Sequence, residues 1–259
     1  MIALDAVNIG GWVGQYLWPF FRLASFFMAM PLIGSRNVPR RIRIVLAAFT
    51  AMLLAPVIPD MPKLDALSWT AILVVMQQIL IGTLLGFFLQ LFFQLFIMAG
   101  QMISMQVGLG MATMMDPVNG ASVPILGQMY LIFTTLMFFV FDGHLILLEI
   151  FAYSFYSYPV SADPYAIMAY VDIASWGAWL FKSAFAIALP IVTAVLVVNF
   201  SFGFISRAAP QMNIFALGFP LTMLMGLFIV WIAVAAFQTM FEGHFAEALQ
   251  ILRSIVMTR

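Results

Sequence analysis

The sequence predicts an all-α integral membrane protein of about six long apolar helices. Hydrophobic residues make up 65% of the chain and charged residues 8%, whereas a soluble domain carries roughly a quarter charged residues. Mean hydropathy is +1.11. The apolar residues are also gathered into runs whose connections are punctuated by Pro31, by Pro56 with Pro59, by Pro159 and by Pro210, residue types at which a helix tends to stop. At about 20 apolar residues per bilayer crossing, the chain has room for several spans and short connections. Residues 1–259 are therefore expected to form a single membrane-embedded domain.

The first run, Ile9 to Met30, has no Lys or Arg before Arg22, so it lacks the basic region that opens a secretory signal peptide and is expected to be retained. Arg22 follows Trp18 and Pro19 within apolar sequence, where a charge is costly. It reads as a capped helix end, a side chain snorkelling to the interface, or a residue of a transport pathway. The second run, Ile42 to Val57, is short for a full crossing, while the third, Trp69 to Met98, and the fourth, Leu126 to Tyr158, reach about 30 residues and exceed one hydrocarbon thickness even when tilted. Along the third run recur Gln77, Gln78, Gln90, Gln94 and Gln101, amides that need partners in hydrocarbon. Hydrogen bonding between helices is the first reading and a solute-binding row the second. The fifth run, Trp176 to Phe204, carries Lys182, placed to snorkel. The sixth runs from Ile214 to Met240, and the tail, 241–259, mixes apolar residues with Glu242, Glu247 and Arg253 as a short amphipathic helix would.

Charge placement sets an orientation. Arg36, Arg40, Arg41 and Arg43 cluster between the first two runs and Arg207 lies between the last two, so both connections are expected on the cytoplasmic side, where these arginines serve orientation or partner contacts. Asp60, Lys63, Asp65, Asp163 and Asp172 fall in the opposite connections. Six crossings would then leave both termini outside. Trp12, Trp18, Trp69, Trp176 and Trp179 lie near the predicted ends, where an indole suits the headgroup region.

Between Gly100 and Pro124 the apolar pattern gives way to GQMISMQVGLGMATMMDPVNGASVP, rich in Gly and Met and free of Lys and Arg. Non-helical backbone beside hydrocarbon-length segments survives only where protein buries it or where it lines a water-filled cavity. Met102, Met105, Met111, Met114 and Met115 supply pliable side chains that fill an irregular aperture, Gly100, Gly108, Gly110 and Gly120 permit bends, and Asp116, Pro117, Asn119 and Gly120 signal a turn. The stretch reads either as a deformable apolar plug or as an irregular buried connection.

Other features point to packing more than to chemistry. Gly10 with Gly14 and Gly82 with Gly86 have the spacing that lets helix backbones approach closely. The echo Phe141-Asp142-Gly143-His144 and Phe241-Glu242-Gly243-His244 allows a metal or proton-relay reading, against which stands a glycine that ends a helix with its polar neighbours at the outer interface. No Walker A sequence, HExxH, GxSxG or dinucleotide fingerprint occurs. With no Cys and a net charge of zero, neither thiolate chemistry nor a nucleic-acid partner is indicated, and no enzyme activity or cofactor is expected.

Taken together, PLIGSRNVPRRIRI at 31–44, GQMISMQVG at 100–108 leading to Asp116, Pro117 and Gly120, DGHLILL at 142–148 and SRAAPQMNIFALGFPL at 206–221 resemble the FliR family of type III secretion export-gate proteins, in the same order and over essentially the whole chain. The resemblance implies a core subunit of the flagellar export gate in the bacterial inner membrane. It also implies FliP-like and FliQ-like partner subunits, FlhA-like and FlhB-like export proteins, and unfolded flagellar substrates passing through a shared channel. It implies helices packed partly as hairpins in a helical hetero-oligomeric assembly, some of them above the lipid. The family's channel-closing loop matches 106–119, which makes Gly108, Gly110, Met111, Met114 and Met115 the seal residues, with Asp116 and Pro117 shaping the turn. The equivalent subunit of a virulence secretion system is the near alternative. A small-solute secondary transporter with broken helices is the alternative from another class.

Overall fold

The structure, a computed structural model, describes residues 6–35, 38–58, 68–110, 112–115, 122–160, 172–208 and 214–257. Among them are eight helices: α1 (Ala6–Ala29), α2 (Arg40–Leu54), α3 (Trp69–Val107), α4 (Ile125–Val140), α5 (Gly143–Ser157), α6 (Ile173–Ala208), α7 (Ile214–Val234) and α8 (Phe237–Met257). A two-stranded antiparallel ribbon, β1 (Thr113–Met115) with β2 (Ser122–Pro124), lies between α3 and α4. By length and composition, α3 and α6 are able to cross a membrane, and the count rises to four if α4 with α5 and α7 with α8 each form one broken span. The expected count of six is thus approximate: eight helices stand among the described residues.

The difference from six has local causes. The fourth apolar run divides because Asp142 adopts left-handed backbone (φ 52°, ψ 28°), ending α4, while its carbonyl accepts from the amides of Leu145 and Ile146 at 2.9 and 3.1 Å to begin α5. Gly143 is then the first residue of α5 and does not end a helix. The sixth run breaks at Ala235 and Ala236, so Gly243 sits inside α8, and the amphipathic tail expected over 241–259 is the larger part of a helix that starts at Phe237. Left-handed backbone is costly for side chains branched at Cβ. Asp142→Val should therefore lower stability by about 1–2 kcal/mol, while Asp142→Gly should not, as measured by thermal unfolding in detergent.

Helix length follows expectation in α3, whose 39 residues span about 58 Å at roughly 1.5 Å per residue, far more than one hydrocarbon core. The 36-residue α6 is also overlong, whereas α2, at 15 residues, is short as predicted. Pro39 and Pro124, each with ψ near 140°, stand immediately before α2 and α4. Proline at a helix start sacrifices no helical hydrogen bond.

The helices form two compact units: 1–90 with 142–173 and 248–259, and 91–141 with 174–247. In the first, α2 packs on α1 through the buried Ala47, Ala51 and Ala55. Gly82 and Gly86 bring α3 onto α1, and a Cβ added at Gly82 would fall 2.0 Å from the Arg22 carbonyl oxygen. The expectation of close helix packing from this glycine pair holds. In the second unit, rings of α3, α4 and α8 interlock: Phe92 meets Phe241 at 5.8 Å, Phe96 meets Phe237 at 5.7 Å, and Phe138 meets Phe93 and Phe245 at 5.5 and 6.0 Å. Edge and tilted contacts of this kind add to simple area burial. Gly100 also belongs to packing. It lies inside α3, and its missing Cβ admits the Gly127 backbone of α4, 2.7 Å from where that atom would be, so it marks no bend.

The tryptophans expected near helix ends differ in exposure, and the side chain of Trp12 lies outside the described residues. Trp69 is exposed as expected, but Trp18 and Trp176 are buried and Trp179, also buried, donates its Nε1–H to Glu247 at 3.1 Å.

Candidate functional site

The end of α3 and the chain beyond it form the candidate site. Gly108 has φ +89°, its amide donates to the Met105 carbonyl at 3.3 Å, and the Leu109 amide donates to the Ser104 carbonyl at 2.8 Å. This pair of bonds closes a helix with a left-handed glycine. Ser104, fully buried, adds a bond from its hydroxyl to the Leu109 carbonyl at 3.1 Å. The chain then leaves α3 as an arm. The Ala112 amide bonds to the Leu109 carbonyl and the Ile125 amide to the Ala112 carbonyl, each at 3.0 Å, and β1 pairs with β2 in the register Thr113 to Pro124, Met114 to Val123 and Met115 to Ser122. Non-helical backbone is therefore present where the Gly and Met pattern placed it.

Of the seven residues singled out for a seal, Gly108 makes the turn and Met114 projects from β1, 51% exposed. Met115 is the last residue of β1. Gly110 makes no close approach, since a Cβ there would meet only Met105 at ordinary distance. Met111, Asp116 and Pro117 lie outside the described residues. Met105, one turn before the helix end, is 71% exposed.

Arg22 is the one charge of the apolar runs that is buried, for Asp142, Glu149 and Lys182 are all exposed. It neither snorkels nor caps its own helix. Its Nε donates to Gln78 Oε1 at 2.7 Å, Nη1 to the Ser154 carbonyl and hydroxyl at 2.8 and 3.0 Å, and Nη2 to the Tyr158 carbonyl at 2.8 Å, with the guanidinium 3.9 Å over the Phe155 ring. A cation at the carbonyl end of α5 meets the negative pole of that helix and supplies donors its last turn lacks. The same short segment reaches further. Tyr156 donates to the Val57 carbonyl beyond α2, and Ser157 and Tyr158 donate to the Val256 and Ile255 carbonyls at the end of α8. The amide reading of α3 is thus met at Gln78, which is buried and bonded to another helix, and its Nε2 donates to Gln77 at 3.2 Å.

The predicted basic residues separate. Arg40, Arg41 and Arg207 are exposed, and Arg207 in the last turn of α6 complements that helix end. Arg43 instead folds back and donates to the Val38 carbonyl at 2.9 Å and to the Ser35 carbonyl, closing the turn before α2. Arg36 lies outside the described residues. His244 Nδ1 lies 3.4 Å from Glu247 Oε2, and among the described residues no group of three or more His, Cys, Asp or Glu is placed to hold a metal.

The family model of bacterial export proteins, family 1, matches residues 13–248. The chain belongs to that family. It is 33% identical to the flagellar biosynthetic protein FliR of Pectobacterium carotovorum subsp. carotovorum, covering 99% of this chain and 98% of the relative. It is 32% identical to FliR of Escherichia coli strain K12 over 95% of this chain and 94% of the relative, and 28% identical to FliR of Bacillus subtilis strain 168 over 93% and 94%. As a bacterial export protein with long apolar helices, it is a membrane component of a secretion apparatus.

Several residues that shape this export-family site carried little sequence signal. Ser104 reads as one more small polar residue in an apolar run, and Phe219, whose ring lies 3.1 Å from where a Cβ on Gly108 would stand, is one of 27 phenylalanines. The run Ser154-Phe155-Tyr156-Ser157-Tyr158 before Pro159 did offer a clue. Clustered hydroxyl groups at the end of an apolar helix, where carbonyls lack helical donors, mark a place where other elements meet.

Proposed function

We propose that this chain is a non-enzymatic core subunit of the flagellar protein export gate in the bacterial inner membrane, at the flagellar basal body. It assembles with FliP-like and FliQ-like membrane subunits, works with FlhA-like and FlhB-like export proteins, and helps form the channel through which unfolded flagellar proteins leave. The arm after α3 closes that channel by apolar packing, with 106–119 as the plug.

One observation carries the reading. In a chain that aligns end to end with FliR proteins, a helix far longer than a bilayer ends at Gly108 in a hydrogen-bonded cap, with Met105 exposed in its last turn, and the chain emerges as a short ribbon on which Met114 is exposed. Pliable side chains on a tethered, non-helical arm suit an aperture that must seal and then repack. Nothing in the sequence supplies a nucleotide site, so the driving energy belongs to partners.

The test is deletion of Gly110 to Met115, which removes β1 and leaves the Ser104, Gly108 and Leu109 cap intact. The assembled complex should conduct ions more readily across a planar bilayer. A complex that still contains its FliP-like and FliQ-like chains and conducts no better than the parent would sink the plug assignment. Recovery of the native chain alone or as a small homo-oligomer, without those partners, would sink the gate assignment as a whole.

A further inference from the structure

Two residues seven apart on α7, and so on one face of that helix, touch the last turn of α3 in different ways. At Gly226 the missing side chain is what allows contact: a Cβ there would lie 3.2 Å from Val107 Cβ and 2.8 Å from its Cγ1, and Val107 is buried. Two turns earlier, Phe219 Cε2 and Cζ lie 3.1 and 3.4 Å from the Cβ position of Gly108, where the chain reverses. Unlike Val107, Phe219 is 61% exposed. A side chain on Gly108 would strain its left-handed backbone and would also press on the ring, which would have to give by a few tenths of an ångström. Pro220 follows directly and removes a rung from the helical ladder of α7.

We propose that α7 holds the end of α3 at a fixed pivot, Gly226 against Val107, and covers the root of the arm with a removable latch, the Phe219 ring on Gly108. The ring is a positioning group. It keeps Leu109, Gly110 and residues 112–115 in their present course, and the arm changes course only after the ring has left. The pivot and latch stand on geometry alone, and only their bearing on conduction rests on the arm being the plug.

Phe219→Ala in the full chain should speed hydrogen exchange at the Leu109, Ala112 and Ile125 amides, whose bonds define the arm's course, by roughly three- to tenfold, the range of one aromatic contact. Amides within α8 should be unaffected. Gly108→Ala should also speed exchange, and less so on a Phe219→Ala background, because only the backbone strain then remains. Unchanged exchange at those three amides in Phe219→Ala, or strictly additive effects of the two substitutions, would overturn the latch. If Phe219→Ala does not fold, Phe219→Leu, which keeps apolar bulk but loses the ring, is read in the same way. On this cysteine-free chain, Val107→Cys with Gly226→Cys should form a disulfide under mild oxidant, since the Cβ separation of 3.2 Å needs to widen by only a few tenths of an ångström to reach the roughly 3.5 Å at which natural bridges begin. Failure to form it would overturn the pivot. Faster exchange in Phe219→Ala without a rise in conductance of the assembled complex would support the latch and count against the plug.

Discussion

Arg22→Ala is expected to cost this protein more stability than any other single truncation. The substitution removes the bonds that Arg22 donates to the Gln78 amide oxygen, the Tyr158 carbonyl and both the carbonyl and hydroxyl of Ser154, and leaves a hole against Phe155. Buried acceptors left without partners cost about 1–3 kcal/mol each, so a total of about 4 kcal/mol is the expected scale, discounted where water or neighbouring groups move in. The loss should spread in a defined direction, because Ser157 and Tyr158 hold the end of α8 and Tyr156 holds the turn after α2. Limited proteolysis of Arg22→Ala in detergent should then cut near the C-terminus and after α2 before it cuts within 91–141. Lysine should rescue only in part. Its ammonium is a point charge and lacks the planar fork that serves Gln78, Ser154 and Tyr158 together. A melting temperature unchanged in Arg22→Ala would show that these bonds are replaced or carry no net stability.

The sequence made the helical class and the position of the non-helical arm legible for the same reason: both rest on composition over a window, apolar residues over tens of positions in one case and Gly with Met in the other. What composition does not encode is where a single residue turns the chain. Asp142 adopts left-handed backbone with Gly143 beside it, contrary to propensity, and the second break, at Ala235 and Ala236, lies between two of the best helix formers. Gly143 does read as a helix stop, one residue past the turn, but Ala235 and Ala236 carry no local signal. Tertiary contacts decide them. The aromatic groups of α8, Phe237, Phe241 and Phe245, are drawn onto Phe92, Phe96 and Phe138, and a continuous helix through Ala235 would have carried them elsewhere.

The candidate site was legible in proportion to its dependence on backbone. Gly108 was identifiable as a bend because only glycine adopts φ near +89° without strain. Gly100 and Gly110 carried the same letter and serve differently, one admitting another helix and the other meeting nothing close. Arg22 was visible as an anomaly, a charge in an apolar run, but its partners come from α3 and α5, 56 to 136 residues away. No spacing rule joins residues so far apart. The family resemblance, by contrast, drew on the order of several modest motifs along the whole chain, and the end-to-end match to FliR proteins bears it out.

Gly82→Ala should be nearly as damaging as loss of Arg22, although it adds one methyl group and favours helix. The added Cβ would sit 2.0 Å from the Arg22 carbonyl oxygen and 2.1 Å from Ser25 Oγ, with Ser25 Oγ itself bonded to that carbonyl at 2.9 Å. A main-chain oxygen cannot rotate away as a flexible side chain does, so α1 and α3 must part by more than 1 Å to regain van der Waals distance. Gln78 lies one turn before Gly82 on the same face of α3, and its 2.7 Å bond to Arg22 stretches with the same movement. Overpacking of this kind costs about 1–3 kcal/mol, and more when backbone must shift. We expect about 3 kcal/mol, read as a lowered melting temperature and a reduced monodisperse fraction. Because both changes strike the α1 to α3 contact, Gly82→Ala and Arg22→Ala should fall short of additivity when combined. Gly203→Ala provides the matching control. It makes the same chemical change within α6, where an added Cβ meets nothing within 4 Å, so helix propensity alone should raise stability by up to about 1 kcal/mol. Opposite signs for the two glycines would locate the close approach at Gly82, and equal effects would mean that α1 and α3 do not meet there.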